Sequence, residues 1–99
     1  MKFKDIKFTP TKIPKGIQAL VQFGDYELSI IQNEMSYGSP SLYEVAVYRG
    51  DKIIEMPGIT EENGGVQGWL NESNVEGVMK KMYTITREEP INLVDTIPH

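Results

Sequence analysis

Two stretches of this chain alternate strictly between apolar and polar positions, and each reverses direction at a Gly-Asp pair. In the first, Ile17, Ala19, Val21 and Phe23 share one parity, and Tyr26, Leu28 and Ile30 share it again after Gly24-Asp25. A two-residue reversal sets Phe23 opposite Tyr26, Val21 opposite Leu28 and Ala19 opposite Ile30, so turn and pattern select one register. In the second, a reversal at Gly50-Asp51 pairs Tyr48 with Ile53, Val47 with Ile54 and Val45 with Met56. Glycine supplies the positive φ that such tight turns require. One sheet face then holds Ala19, Val21, Phe23, Tyr26, Leu28, Ile30, Tyr43, Val45, Val47, Ile54 and Met56.

From residue 71 the period changes to that of a helix. Asn71 reads as the N-cap and Glu72 favours the positive end of the helix dipole. Val75, Val78, Met79 and Met82 recur at i, i+3, i+4 and i+7. Lys80 and Lys81 are expected in the closing turns, and Gly77 to mark a close approach of helix to sheet. Residues 66–70 read either as a short strand or as the lead-in to this helix. Residues 3–8 alternate loosely and predict an edge strand. Pro10 and Pro14 break up the stretch that follows. The predicted class is α+β: an antiparallel meander of four to five strands with two tight hairpins and one C-terminal helix packed on one face. Residues 1–16 form a basic arm or edge strand, 17–86 a single domain, and 87–99 a loosely ordered tail.

Composition narrows the chemistry. The chain has 99 residues, 39% hydrophobic and 24% charged, with no cysteine. Disulfides, thiolate catalysis and cysteine-based zinc sites are excluded. No apolar run is long enough to span a bilayer. The lysines at the N-terminus precede no apolar segment, so a soluble, intracellular protein is expected. Charge is uneven. Lys2, Lys4, Lys7, Lys12 and Lys15 stand against Asp5 alone, whereas the remainder carries five basic and thirteen acidic groups. An acidic body disfavours general nucleic-acid binding, which needs clustered cations. The lysine arm is the one place for such contact.

No catalytic constellation is visible. The lone histidine, His99, is the last residue, and a general base must be held close to the proton that it takes. Glu61-Glu62 lacks the spacing of a calcium loop, and Gly64-Gly65 followed by Gly68 lacks the frame of a phosphate loop. Asp25 and Asp51 are expected at the same end of the sheet but without ligand spacing. Arg49-Gly50-Asp51 spells an adhesion tripeptide, yet the turn alone accounts for its glycine and aspartate. No catalytic residue, metal or cofactor is expected.

The back of the sheet is the unusual feature. Leu20, Ile31, Ala46, Tyr48 and Ile53 occupy positions where a solvated face would be polar. Either the N-terminal segment covers them or another protein does, a second copy included. Trp69 reads as an anchor at the sheet–helix seam, with an interface hot spot as the alternative. Leu20, Ile31, Tyr37, Tyr48, Ile53 and Trp69 are therefore the candidate interaction surface.

Gly24-Asp25-Tyr26-Glu27-Leu28-Ser29-Ile30, then Tyr37-Gly38, then residues 42–47 (LYEVAV), then Gly68-Trp69-Leu70 before the helix form an ordered set. In this, residues 23–83 resemble small uncharacterised proteins of tailed bacteriophages and prophages. The resemblance implies a phage accessory product in the bacterial cytoplasm, and it maps no catalytic residue onto this chain. The expected function is protein–protein interaction, directed at a host factor or a defence system. The alternatives are a homo-oligomeric virion assembly protein and nucleic-acid contact through the lysine arm.

Overall fold

A computed structural model describes residues 1–34, 36, 41–61 and 64–94. In chain order its strands are β1 (Thr9–Lys12), β2 (Lys15–Phe23), β3 (Tyr26–Asn33), β4 (Tyr43–Arg49), β5 (Lys52–Ile54), β6 (Val66–Leu70) and β7 (Ile91–Leu93). The helix α1 (Glu72–Thr86) lies between β6 and β7. The segments with unbroken alternation make the three long strands, and β3 runs between β2 and β4 in one antiparallel sheet. Each outer column is shared by two short strands. β1 and β7 pair with successive halves of β2, and β6 and β5 do the same along β4. The fold is α+β, with a single helix on the sheet.

The first hairpin has the expected register throughout: Phe23 faces Tyr26, Val21 faces Leu28 and Ala19 faces Ile30. Gly24 and Gly50 have φ of 62° and 65°, and the aspartates after them do not share it. That is the type II′ pattern, whose twist suits paired strands. In the second hairpin Tyr48 faces Ile53 and Val47 faces Ile54, but Val45 faces Gln67 rather than Met56. The chain leaves the ladder after Ile54 because Thr60 captures it. The Thr60 hydroxyl donates to the Ile54 carbonyl (3.2 Å) and accepts from the Met56 N–H (2.9 Å). Met56 is buried nonetheless, beside Ile59. All eleven predicted core residues are buried or packed against the core.

Residues 3–8 are not an edge strand. Phe3–Asp5 is a 3-10 turn whose Phe3 N–H donates to Glu76 Oε1 (2.7 Å). The Phe3, Phe8 and Tyr43 rings pack with centroids 5.2 to 5.8 Å apart, and Ile6 enters the core. Three rings and an isoleucine remove more apolar surface from water as a plug than an exposed edge strand could. The edge position falls to β1 instead, joined to β2 through a cis Ile13–Pro14 bond. The tail reading is corrected too, since Ile91–Leu93 is strand β7. Its Asn92 carboxamide accepts from the Lys7 N–H and donates to the carbonyls of Lys7 and Leu20. One side chain thus fills the junction where β7 gives way to the N-terminal segment.

Helix α1 begins as expected. Asn71 Oδ1 accepts from the Asn74 N–H (2.8 Å), and Asn74 Oδ1 accepts from the Asn71 N–H (3.0 Å). Val75, Val78, Met79 and Met82 are buried. The helix runs on to Thr86, so Lys80 and Lys81 fall short of its last turn, which has no basic residue. Lys81 Nζ donates to the Gly58 carbonyl instead (2.9 Å). Gly77 marks no close approach, because a Cβ there would meet no atom within 4 Å.

Replacing Gly77 with alanine is therefore expected to stabilise the protein by about 1 kcal/mol, read from the urea midpoint. Burial raises the Tyr43 phenol above its ordinary 10.0, and the Glu72 carboxylate adds to the shift. A raised phenol favours the neutral form in the folded state. Its contribution is complete below about pH 10 and is lost as pH climbs through the raised value. In urea titrations across alkaline pH, Tyr43→Phe should lose stability less steeply than the parent chain.

Candidate interaction surface

Pairing register places the back face in rows that cross the sheet. Leu93, Leu20, Ser29, Ala46 and Val66 make a middle row with one residue from each column. On one side lie Ile91, Gln22, Glu27, Tyr48 and Ile53. On the other lie Thr9, Gln18, Ile31 and Glu44. Four of the five middle-row residues are apolar. The exception, Ser29, is small and buried, and its hydroxyl accepts from Gln18 Nε2 (3.2 Å). The result is an apolar stripe across the full width of the sheet. Leu20, Ile31, Ala46, Tyr48 and Val66 are half-buried, while Ile53 is 43% and Ile91 60% exposed.

Among the described elements, none packs on this face. Helix α1 meets β2, β4, β6 and the N-terminal turn through the opposite, core-bearing side. Phe3, Ile6 and Phe8 join that side as well, so the N-terminal segment does not cover the stripe.

Trp69 is not a seam anchor. It is 68% exposed and has a φ of 62°, in the left-handed region. The cause lies in β6. Tyr43 pairs with Leu70 and Val45 with Gln67, which leaves Gly68 and Trp69 together opposite Glu44. Two residues against one is a β-bulge, a device that re-aims side chains. A left-handed conformation costs a residue with a Cβ about 1–2 kcal/mol, and here it holds the largest side chain in solvent. Strain of this kind, retained without a packing benefit, is characteristic of functional positions.

The other candidates disperse. Tyr37 and His99 lie outside the described residues. Lys2, Lys4, Lys7, Lys12 and Lys15 are all exposed but form no single patch. Lys12 and Lys15 flank the β1–β2 turn, whereas Lys7 lies beyond the other end of β1, beside Asn92. The two Gly-Asp turns share one end of the sheet, and Asp25 lines a shallow polar depression there with Tyr26, Arg49 and Gly50. The Arg49 guanidinium stands 5.5 Å from the Tyr26 ring centroid, so the arginine of the adhesion-like tripeptide is stacked against its neighbouring strand. Among the described residues, no three His, Asp or Glu side chains converge as metal ligands, and no helix is long and apolar enough to cross a membrane.

Sequence reasoning missed Val66, Ile91 and Leu93 on this face. The alternation of Ile91, Asn92 and Leu93 was a usable signal, whereas nothing local marked the bulge. No family model matches the chain, and no curated protein or solved structure matches it.

Removing a buried tryptophan costs about 3–5 kcal/mol. Trp69→Gly is expected instead to leave stability unchanged or raise it by up to about 1 kcal/mol, since glycine accepts the left-handed conformation freely. Urea unfolding followed by far-UV circular dichroism reads the difference.

Proposed function

We propose that this protein is a non-catalytic interaction module that docks a partner protein, from host or phage, on the back of its sheet. One observation carries the reading: an apolar stripe spans all five columns, and no described element of the chain packs over it. Contiguous apolar surface on a soluble domain marks an interaction site more often than it occurs idly. Exposed Trp69 at the bulge beside Glu44 supports the same reading, because tryptophan is enriched among residues that dominate binding energy. The resemblance to phage accessory proteins fits a role of this kind in the bacterial cytoplasm, where a small domain acts by occupying a surface of something larger.

The test is site-specific photo-crosslinking in phage-infected cells. A crosslinking side chain at Ile53 or Ile91 should trap one protein species, and the same group at Thr84 on the helix should not. The adduct should disappear in Leu20→Lys while the variant's urea midpoint shows it folded. Equal labelling from both faces, or none, overturns the reading. An adduct only to a second copy of the chain replaces it with self-assembly, the behaviour of a virion component.

A further inference from the structure

We infer that the docked partner adds an extended segment to the sheet as a strand beside β7; this rests on the docking reading above and names how the partner is held. The main chain of β7 has an open side. Phe23 and Tyr26 flank a two-residue turn and are therefore a hydrogen-bonded pair, which sets the alternation of bonding along β2. Phe23, Val21 and Ala19 bond to β3, whereas Gln22 and Leu20 bond outward, to Ile91 and Leu93. Asn92, opposite Val21, then turns its N–H and carbonyl away from β2, and the same alternation turns those of Val94 outward. Among the described residues, β7 pairs with β2 alone and nothing bonds the Asn92 or Val94 main chain. A row of unpaired donors and acceptors is a template for another strand.

The other outer strands are guarded against such pairing. β1 carries Pro10 and Lys12, β5 opens with Lys52, and β6 is distorted by its bulge. β7 reads Ile91-Asn92-Leu93, without proline, charge or bulge, and Ile91, Leu93 and Val94 are exposed. Pro90 has no N–H to offer, so pairing begins at Asn92. Ile91 and Leu93 lie on the back face, and Leu93 is the end of the apolar stripe. The segment that pairs here therefore sets apolar residues at alternate positions beside them, while the rest of its protein lies over the stripe. A second copy of this chain is a poor occupant. A strand as short as β7 spans about 10 Å, and two such edges side by side cover far less than the roughly 1,200 Å² of a stable interface. A partner that engages edge and stripe together is not held to that length.

Amide hydrogen exchange of the free chain is the first test. Ile91 and Leu93 should exchange slowly, and Asn92 and Val94 rapidly. Slow exchange at Asn92 and Val94 overturns the inference, because their edge would already be occupied. The second test places Val94→Pro and, separately, Val94→Thr in the chain that carries the crosslinking side chain at Ile53, in the far column. Proline removes one outward donor and leaves the bonded pairs of β7 with β2 in place, whereas threonine keeps the donor and loses only apolar surface. Val94→Pro should cut the partner adduct about tenfold at an unchanged urea midpoint, and Val94→Thr should leave it within about twofold. An adduct that survives both substitutions overturns strand addition and leaves docking standing. Loss in both overturns it in favour of side-chain contact at Val94. No adduct in the parent chain removes the docking reading as well. An adduct only to a second copy overturns the inference in favour of self-pairing.

Discussion

The parity of β3 is the constraint on which the rest of this structure depends. Among the described strands it alone has a long strand on each side, and its register with both decides which half of the sheet faces the core. Leu28 and Ile30 point into the core, while Glu27, Ser29 and Ile31 point away. A slip of one residue would exchange these sets and turn the Glu27 carboxylate toward the core. The type II′ turn at Gly24-Asp25 prevents the slip against β2, because it closes that hairpin with no spare residue, and six successive pairs from Tyr26↔Arg49 to Ile31↔Glu44 hold the register against β4. Helix, N-terminal plug and Thr60 loop then all pack against the one face that β3 permits.

This produces a molecule with one finished side and one unfinished side. On the finished side, fifteen of the described apolar residues form a single buried cluster. On the other, a stripe of Leu93, Leu20, Ala46 and Val66, interrupted only by Ser29, crosses the sheet with no described element packed on it. Trp69 is exposed at the bulge opposite Glu44, in a local conformation that works against stability. Under the docking proposal, the cost of that conformation is offset by binding.

What could be read in the sequence was what neighbouring residues determine together. Gly24-Asp25 and the alternation around it are two independent signals for one register, and both held. The apolar residues of the wrong parity, Leu20, Ile31, Ala46, Tyr48 and Ile53, marked the back face for the same reason. The outer columns were illegible because they are settled by competition between distant segments. Val45 takes Gln67 rather than Met56 because Thr60 draws the chain off the ladder, a contact invisible to periodicity. The Phe3, Phe8 and Tyr43 cluster likewise joins residues whose meeting depends on the whole sheet. The exposure of Trp69 depends on the sign of one dihedral angle, which composition does not encode.

Asn92 ties residues 7 and 20 through one carboxamide, and Phe3 is tied to Glu76. These links span nearly the whole described chain, so they cannot form before residue 92 has left the ribosome. Leaving the ribosome N-terminus first, the β2–β3 and β3–β4 pairings are local enough to assemble early, as contacts of short sequence separation do. The N-terminal segment must wait for helix α1, and the first sheet column for β7. Until then the nascent domain exposes apolar surface on both faces of its sheet. Its interval of greatest exposure to chaperones and to misassociation therefore ends only after residue 93 has emerged.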